Sequence, residues 1–211
     1  MRQVISLMDS GDIDLPEPPY SYYFTGCRDA EDFDKLAKIG SGAYGIVYKA
    51  KDLTNDELVA MKRVKMEAND DGFSLLSLRE VKILMTADHP HIVKFKGMAV
   101  TELNDQEKHR NVFIIMEYIE NDLRTILQDM SKPFTLAQVK TLMIQLLSAV
   151  EYMHQNWIIH RDIKTSNLLI NNEGQLKVAD LGSCRLFSYP VEPMSPTVVS
   201  LWYRAPELLF G

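Results

Sequence analysis

The chain has 211 residues, a length that accommodates one large or two small domains. Hydrophobic residues make up 46% of it, as in ordinary folded proteins, so a sizeable core can form. The formal net charge of -6 argues against nucleic acid as the main partner, because phosphate backbones bind basic surfaces. A membrane partner is not expected either, since no run approaches the roughly 18 apolar residues that a membrane-spanning helix needs.

The N-terminal residues and the two cysteines bear on the domain limits and the cellular setting. Residues 1–31 mix prolines, acidic residues and tyrosines without a helical or strand period, which predicts a flexible leader. Cys27 and Cys184 are far apart and lack metal-ligand spacing. They are interpreted as reduced thiols of a nuclear or cytoplasmic protein, because disulfides are rare in those compartments.

A glycine-rich turn is predicted between two strands in the segment 33–51. Gly40, Gly42 and Gly45 form the pattern G-x-G-x-x-G, which dinucleotide-binding folds also contain. β-Branched and aromatic residues follow Gly45 where a dinucleotide fold would begin a helix, so a hairpin is predicted. This strand and the motifs downstream of it exclude a dinucleotide-binding oxidoreductase. Because glycine has no Cβ, such a turn can lay backbone N–H groups over phosphates; an ordinary hairpin is the alternative.

A lysine occupies the interior of the next predicted strand, which spans residues 58–64. Lys62 lies among apolar neighbours and needs an anionic partner or a route to solvent. The following helix, over residues 77–85, offers Glu80 as this partner. Glu80 lies beside the apolar stripe of that helix, which consists of Leu76, Val81, Leu84 and Met85. A Lys62–Glu80 pair would direct the lysine towards a nucleotide, whereas an exposed glutamate is the alternative.

Two further predicted strands, 91–100 and 112–117, precede a change to helical periodicity. The short connector after the second strand is interpreted as a hinge, whose free backbone groups can hydrogen-bond a purine edge. Thr135 and Gln138 form a capping box that begins a long helix. The apolar face of this helix is interpreted as core and consists of Val139, Leu142, Met143, Leu146, Leu147, Val150 and Met153.

A polar loop at residues 158–167 follows this helix and carries the groups of chemical interest. Asp162 can accept a proton from a hydroxyl, Lys164 can neutralise a phosphate oxygen, and Asn167 can ligate a divalent cation. Phosphoryl transfer needs these three roles, because its catalysis is mostly positioning and charge neutralisation. A predicted hairpin then presents Asp180, which can hold a second bond to the metal. For the loop alone, a surface segment that is merely polar is the alternative.

The order of these motifs resembles that of eukaryotic protein kinases. The motifs that occur in sequence are the glycine loop, the strand lysine, the helix glutamate, H-R-D-x-x-x-x-N, D-x-G and Ala205-Pro206-Glu207. The resemblance extends over residues 32–211 and implies an α+β, two-lobed protein kinase-like fold. Residues 32–118 would form an N-terminal lobe, an antiparallel five-stranded sheet with one regulatory helix. Residues 119–211 would form an incomplete helical C-terminal lobe.

Two segments resemble cyclin-dependent kinases in particular. Residues 72–80 are similar to the helix of the PISSLRE and PITSLRE branches of that family. Residues 193–207 resemble its activation segment, with greater similarity to the PISSLRE branch. The resemblance implies a serine/threonine kinase that transfers the γ-phosphate of ATP to proteins. A cyclin would dock on residues 73–80 and push Glu80 towards Lys62.

The resemblance also assigns roles to individual residues. Paired with Glu80, Lys62 would contact the phosphates of ATP. Asp162 would take the proton of the substrate hydroxyl, and Lys164 would steady the transferring phosphate. The other ATP-binding residues would be Ile39, Gly40, Ser41, Gly42, Ala43, Tyr44, Gly45, Ile46, Val47, Glu117, Ile119 and, near the ribose, Asp122.

Magnesium binding, regulation and substrate choice are implied in the same way. Asn167 and Asp180 would bind Mg²⁺. Ser195 would be phosphorylated, unless it is an unmodified Ser-Pro turn. Its phosphate would be bound by three arginines that otherwise repel one another, Arg79, Arg161 and Arg185. Residues 198–204 resemble the family's proline-accepting segment, so the substrate serine or threonine would be followed by proline.

Two departures from the family pattern lead to further expectations. Leu181 replaces the usual phenylalanine of the metal-binding triplet, and as an apolar side chain it would fill the same position. The chain ends at Gly211, whereas the family's domain continues through helices that cover the long helix. A fragment or truncated form is therefore expected, in which each uncovered apolar residue forgoes about 1.5–3 kcal/mol of burial. A catalytically inactive module that binds nucleotide or cyclin is the alternative function.

Overall fold

The computed structural model describes residues 26–42, 45–64, 75–101, 111–188, 194 and 198–210. Within these residues a sheet at the N-terminal end is followed by a region of helices and short strands. This arrangement confirms the predicted α+β class, with a sheet-based N-terminal lobe and a partial C-terminal lobe. Among the described helices, none combines the length and apolar character that crossing a membrane requires.

The N-terminal sheet has six strands in the order β1-β5-β6-β4-β3-β2. They are β1 (Arg28–Asp29), β2 (Phe33–Gly42), β3 (Gly45–Asp52), β4 (Leu58–Val64), β5 (Phe95–Val100) and β6 (Val112–Glu117). The five predicted strands are present and antiparallel, while β1 is an additional strand that pairs with β5 in parallel. The sheet is therefore mixed, and its sixth strand comes from residues that the sequence pattern assigned to the leader.

An arginine fastens β1 to the sheet. The Arg28 guanidinium forms one ion pair with Asp52 and another with Asp32 at 3.3 Å, and it lies 4.3 Å from the centre of the Phe33 ring. Its hydrogen bonds to Asp52 hold the pKa of that buried carboxyl well below its usual range. A two-residue strand has no periodicity, so the leader prediction missed it.

The β2–β3 hairpin has the predicted form of strand, glycine turn and strand. Gly42 pairs with Gly45 across the turn, and Ala43 and Tyr44 between them lie outside the described residues. Gly45 has a φ of +135°, and a Cβ there would lie 2.2 Å from the carbonyl oxygen of Arg63 on β4. Glycine is therefore required at this position by both its backbone conformation and the close approach of the next strand.

Buried apolar residues lie on both faces of the sheet. One face belongs to the main core and is covered by helix α1 (Leu75–Thr86), whose buried apolar residues are Val81, Ile83 and Leu84. The other face has a smaller core around Met61, to which Phe33 contributes from the start of β2. Met85, predicted on the buried stripe of α1, is instead 64% exposed, because Ile83 faces the core in its place. The side chain of Leu76 lies outside the described atoms.

The C-terminal half consists of β7 (Asn121–Asp122), α2 (Leu123–Asp129), α3 (Leu136–Gln155), β8 (Ile158–Ile159), β9 (Leu168–Ile170), β10 (Leu176–Val178), β11 (Arg185–Leu186) and α4 (Pro206–Phe210). β9 and β10 form the predicted antiparallel hairpin, and β7 pairs with β9. The Thr135 side chain accepts a hydrogen bond from the backbone of Gln138, and the Gln138 side chain accepts one from the backbone of Thr135. The predicted capping box therefore begins α3.

Helix α3 is buried on one side and exposed on the other. Ala149 and Met153 are 0% and 2% exposed and belong to the main core. Three residues of the predicted apolar face are exposed instead: Val139 (41%), Met143 (44%) and Leu147 (57%). The prediction that this whole face is core is wrong for these three residues, because the described elements pack only against the side that contains Ala149.

Backbone hydrogen bonds and an ion pair join the sheet to the C-terminal half. Val93 N–H donates to the carbonyl of Val178 at 2.9 Å, and Val178 N–H donates to the carbonyl of His91 at 2.8 Å. Residues 91–93, predicted as the start of a strand, therefore pair with β10, and β5 begins only at residue 95. Lys177 and Glu117 form an ion pair of 2.8 Å at the same junction.

Candidate active site

The predicted strand lysine and helix glutamate form a buried ion pair. Lys62 on β4 and Glu80 on α1 are each 5% exposed, and Lys62 Nζ lies 2.5 Å from Glu80 Oε1. The same Nζ lies 3.1 Å from Asp180 Oδ1. Burial opposes the charge on the lysine, but the two carboxylates outweigh it and raise the pKa of Lys62. The ammonium is therefore held charged where the sheet, α1 and the C-terminal half meet.

A buried histidine ties the polar loop to the end of β10. His160 Nε2 lies 3.1 Å from the carbonyl oxygen of Ala179, and Asp162 N–H donates to His160 Nδ1 at 3.2 Å. Burial lowers the pKa of this imidazole, which agrees with a neutral ring that donates from Nε2 and accepts at Nδ1. His160 thereby sets the spacing between Asp162 and Asp180, the residue after Ala179.

Asp162 is held by hydrogen bonds on both of its carboxylate oxygens. Its Oδ2 accepts from Lys164 Nζ at 2.7 Å and from Asn167 Nδ2 at 3.3 Å. Its Oδ1 accepts from the backbone N–H of Ser200 at 3.1 Å and from the Ser200 hydroxyl at 2.9 Å. Burial acts to raise the pKa of this carboxyl, but the hydrogen bonds from Lys164 and Ser200 prevail and lower it. Asp162 is therefore a carboxylate at neutral pH and can accept a proton from a hydroxyl.

Ser200 is a residue of this site that the sequence did not reveal. It lies 38 residues beyond Asp162, and its hydroxyl oxygen also accepts a hydrogen bond from Lys164 Nζ at 3.0 Å. Serine is common in loops and carries no distinctive spacing. The available signal was its position within residues 198–204, which were assigned to substrate recognition.

The two predicted magnesium ligands, Asn167 and Asp180, line the same cleft. Asn167 Nδ2 donates to the backbone carbonyl of Asp162 at 2.9 Å, which leaves Oδ1 as its cation-binding atom. Asp180 has a left-handed φ of 59° and uses Oδ1 to accept from Lys62. An amide oxygen with a carboxylate suits Mg²⁺, which binds few protein oxygens and retains positions for water and phosphate. The residues present therefore fit this ion.

Of these groups, Lys62, Glu80, Lys164, Asn167 and Asp180 line a cleft of about 470 Å³ between the sheet and the C-terminal half, a volume typical of small-molecule sites. Asp162 lies behind this lining and contacts it through Lys164 and Asn167. The predicted ATP-binding residues that line it are Ile39, Gly40, Ser41, Gly45, Val47, Glu117, Ile119 and Asp122, together with Lys62. Ile46 does not line it, because successive strand residues face opposite sides and its two neighbours face the cleft. Ala43 and Tyr44 lie outside the described residues, and only the backbone of Gly42 is described.

Several apolar residues of the cleft were not predicted as ligand-binding residues. Ala60 and Met116 are each 9% exposed and pair across β4 and β6, while Leu169 comes from β9 in the C-terminal half. In the sequence they are indistinguishable from core residues, because each lies in a buried strand. Together they provide apolar surfaces on both sides of the cleft, which suit a flat ring such as a purine.

The carboxylates of Glu117 and Asp122 are occupied by groups of the protein itself. Glu117 Oε1 accepts from Lys94 N–H at 2.6 Å and from Lys177 Nζ at 2.8 Å. Asp122 caps α2 by accepting from the backbone and the hydroxyl of Thr125 at 2.9 and 2.7 Å. A nucleotide contact from Glu117 would therefore use its backbone. Asp122 fixes the start of α2 at the edge of the cleft.

The three arginines predicted to bind a phosphate lie on neighbouring elements. Arg161 has a left-handed φ of 65° and donates from Nε to the carbonyl of Ser183 at 2.8 Å. Arg185 lies on β11, which pairs with β8 at the start of the polar loop. Arg79 is exposed on α1, which contacts the turn that contains Ser183. Ser195 lies outside the described residues, so its phosphorylation and the convergence of the arginines on it stay predictions.

Leu181, which departs from the usual kinase pattern, and nearby Cys184 are both buried. Leu181 is 1% exposed and belongs to the main core, so an apolar side chain fills this position as expected. Cys184 is 2% exposed, and burial raises the pKa of its thiol to about 12. A thiol with so high a pKa is unreactive at neutral pH. Cys27 and Cys184 are both free.

Comparison with known proteins bears on this geometry. Residues 33–211 match the family model described as protein kinase domain. Cyclin-dependent kinase G-2 from Oryza sativa subsp. indica is 48% identical over 186 residues, which cover 88% of this chain and 26% of the relative. Cyclin-dependent kinase 11B from Mus musculus is 48% identical over 194 residues, which cover 92% of this chain and 24% of the relative. Cyclin-dependent kinase 10 from Mus musculus is 49% identical over 185 residues, which cover 88% of this chain and 50% of the relative.

The chain thus spans about a quarter of the length of the first two relatives and about half of the third. The family model covers most of the chain and includes the hairpin, the ion pair, the polar loop and the residues that follow it. The predicted kinase resemblance is therefore confirmed. The chain belongs to the protein kinase family, and the relatives that it resembles are cyclin-dependent kinases.

Proposed function

We propose that this chain provides the catalytic site of a cyclin-regulated serine/threonine protein kinase that phosphorylates serine or threonine followed by proline. The observation that carries the proposal is the environment of Asp162. Its carboxylate contacts Lys164 and Asn167, which line the same cleft as Lys62 and Asp180. Membership of the protein kinase family supports the same reaction class.

The sheet side of the cleft suits the binding of ATP. ATP with Mg²⁺ would supply the transferable phosphate and neutralise part of its charge. The apolar surfaces of Ala60, Met116 and Leu169 would enclose the adenine ring. Lys62, held charged by Glu80, would bind phosphate oxygens.

The loop side of the cleft suits the acceptor hydroxyl. Because its pKa is lowered, Asp162 is available as a carboxylate that orients this hydroxyl and takes its proton. Lys164 lies 2.7 Å from Asp162 and would neutralise charge on the transferring phosphate. Ser200 contacts both side chains and keeps them in fixed relation. Asn167 and Asp180 would hold the metal.

The conformation of Val199 supports a preference for proline after the acceptor residue. Val199 has a left-handed φ of 68°, which is rare for a β-branched residue. Its carbonyl oxygen accepts from Arg204 Nη2 at 3.0 Å, and that of Val198 accepts from Arg204 Nε at 3.0 Å. These carbonyls are therefore engaged and poorly placed to accept a substrate N–H. Proline has no N–H to leave unpaired, whereas other residues do.

Regulation by a cyclin and by phosphorylation forms part of the same proposal. The relatives carry the name cyclin-dependent kinase. Helix α1 presents Glu80 on its buried side and Leu78, 49% exposed, on the other. A cyclin bound to the exposed side would hold Glu80 against Lys62. A phosphate on Ser195 would attract the nearby arginines.

The free cysteines favour nuclear or cytoplasmic residence.

A phosphate-transfer assay tests the proposal. The full-length product that carries this sequence, purified with a cyclin, is given labelled ATP, Mg²⁺ and matched Ser-Pro and Ser-Ala peptides. We expect the Ser-Pro peptide to react about tenfold faster or more, since an unpaired donor costs about 1–3 kcal/mol. Asp162→Asn should lower turnover by about 100- to 10,000-fold, because it removes the proton acceptor.

Asp129→Asn, at the exposed end of α2, is the matched control and should retain full turnover. Equal rates on the two peptides would contradict the proline preference. Turnover that survives Asp162→Asn would reject the catalytic assignment. Nucleotide or cyclin binding by the unmodified protein without any turnover would favour the inactive binding module instead.

A further inference from the structure

The segment 198–204 contacts the polar loop of residues 158–167, which is the catalytic loop of the proposed kinase, at a second point away from Asp162. Thr165 Oγ1 and Tyr203 OH lie 2.9 Å apart, which is a hydrogen bond between two side-chain hydroxyls. Neither residue lines the described nucleotide cleft. We propose that Thr165 and Tyr203 are positioning residues, which orient segment 198–204 on the catalytic loop and thereby set the affinity for the peptide substrate. The inference rests on the proposed kinase function.

Both hydroxyls are presented by short turns whose backbones are fixed. Thr165 begins the 3-10 turn Thr165–Asn167, and its carbonyl accepts the N–H of Leu168. Tyr203 ends the 3-10 turn Leu201–Tyr203, and its N–H donates to the carbonyl of Ser200 at 2.8 Å. The pair therefore joins the turn that contains the metal-ligand candidate Asn167 to the turn that follows Ser200.

Two points of attachment fix an orientation that one point leaves free. The contacts of Ser200 with Asp162 hold the start of the turn Leu201–Tyr203, and the Thr165–Tyr203 bond holds the end of this turn. Without the second bond, the turn can pivot about Ser200. Such a pivot would also move Arg204, the neighbour of Tyr203, whose side chain holds the carbonyl of Val199. The proline-accepting backbone thus depends on the hydroxyl pair.

Apolar packing does not hold this turn in place. Leu201 is 60% exposed and Trp202 is 91% exposed, so within the described residues the turn is attached mainly through polar contacts. Tyr203 itself is 47% exposed. Loss of the pair should therefore affect the orientation of the segment more than the stability of the fold.

The experiment compares Thr165→Val and Tyr203→Phe, alone and together, in the full-length product with its cyclin. Each change removes one hydroxyl and preserves the shape of the side chain. We expect the KM for a Ser-Pro peptide to rise about three- to tenfold, the loss of about one hydrogen bond. The KM for ATP should change by less than about twofold, since the cleft is untouched. The double variant should be no worse than either single variant, because both remove the same bond.

Two controls separate positioning from general damage. Thr165→Ser retains a hydroxyl and should restore the peptide KM to within about twofold of the unmodified value. Thr141→Val removes an exposed hydroxyl of α3, which donates to the carbonyl of Ala137 at 3.0 Å, and should change neither KM. Hydrogen exchange of residues 198–204 should become faster in Thr165→Val and Tyr203→Phe and not in Thr141→Val.

The inference fails if both single variants keep the peptide KM of the unmodified protein, if their effects multiply in the double variant, or if the KM for ATP rises as much as that for peptide. Hydrogen exchange requires no turnover, so this measurement tests the hydroxyl pair separately from the proposed kinase function. If the unmodified protein transfers no phosphate, the proposed function is wrong, and unchanged exchange in Thr165→Val would separately reject the hydroxyl pair as a clamp.

Discussion

The two sides of the cleft hold their charged groups in different ways. On the sheet side, Lys62 and Glu80 form a direct ion pair with 5% exposure each. On the loop side, Asp162 shares its hydrogen bonds with Lys164 and Ser200, which are only partly buried. The first arrangement depends on the packing of α1 against β4, and the second depends on hydrogen bonds between two loops.

This contrast predicts that the two sides respond differently to substitution. Removing one partner of a buried pair leaves an uncompensated charge, which lowers the free energy of unfolding. Removing the Ser200 hydroxyl leaves Asp162 with its ion pair to Lys164 and the backbone N–H of Ser200, so no charge is left unpaired and the fold persists while the geometry loosens. The sheet side should therefore be sensitive in unfolding experiments and the loop side in kinetic ones.

The largest effect on stability should follow from Lys62→Met. The change leaves Glu80 buried beside Asp180 without its cation, so we expect the free energy of unfolding to fall by about 3–5 kcal/mol. Urea denaturation measures this quantity. The matched control, Lys96→Met, breaks the more exposed ion pair of 2.7 Å with Glu57 and should cost about 1 kcal/mol or less.

A double variant sharpens the same test. Lys62→Met combined with Glu80→Met replaces the whole pair by apolar side chains of similar volume, which is often nearly neutral for stability. We therefore expect most of the lost free energy of unfolding to return. A double variant as unstable as Lys62→Met alone would show that lost packing, and not the unpaired charge, determines the effect.

An intermediate effect is expected on the loop side from Ser200→Ala. Asp162 and Lys164 each lose a hydrogen bond, so turnover should fall about tenfold, while the free energy of unfolding should change by about 1 kcal/mol or less. Steady-state kinetics and urea denaturation on the same preparation measure both values. Ser200→Thr keeps the hydroxyl and should behave as the unmodified protein. A loss of stability as large as that of Lys62→Met would contradict the contrast between the two sides.

The smallest effect is a dependence of stability on pH that originates at His160. Burial lowers the pKa of this ring in the folded state, whereas the unfolded ring has its ordinary pKa of about 6.5. The unfolded chain therefore binds the proton first, and the free energy of unfolding should decrease as pH falls below about 6.5. Thermal unfolding between pH 7 and pH 5 measures the slope.

His160→Asn removes the titrating ring and should flatten that slope, since an amide oxygen can still accept from Asp162 N–H. His154→Asn, at an exposed position near the end of α3, should retain it. An unchanged slope in His160→Asn would assign the pH dependence to other groups.

The parts of the fold that the sequence predicted are those with a local signature. The capping box of α3, the hairpin of β9 and β10, and the partnership of Lys62 with Glu80 each follow from residue type and spacing. Strand β1 has too few residues for a period, and an ion pair with a distant aspartate holds it. Ser200 acquires its role only through a contact across 38 residues.

Helix α3 illustrates a second limit of sequence patterns. Its apolar period identified Met153, which is 2% exposed, and equally Leu147, which is 57% exposed, whereas it did not include the fully buried Ala149. Periodicity reports which residues share a helix face, and burial depends on which elements pack against that face. For the polar loop, residue type indicated phosphoryl transfer, but the roles of individual residues came from the order of the motifs and its resemblance to protein kinases.

The central claim is that one cleft binds the nucleotide through Lys62 and Asp180 while Asp162 acts on the acceptor. The most direct measurement is the dissociation constant of an Mg²⁺–ATP analogue for Asp180→Asn and Asp162→Asn. We expect Asp180→Asn to weaken binding by about tenfold or more, and Asp162→Asn to bind within about twofold of the unmodified protein although its turnover is lost. Equal loss of affinity in both variants, or unchanged affinity in Asp180→Asn, would contradict the claim.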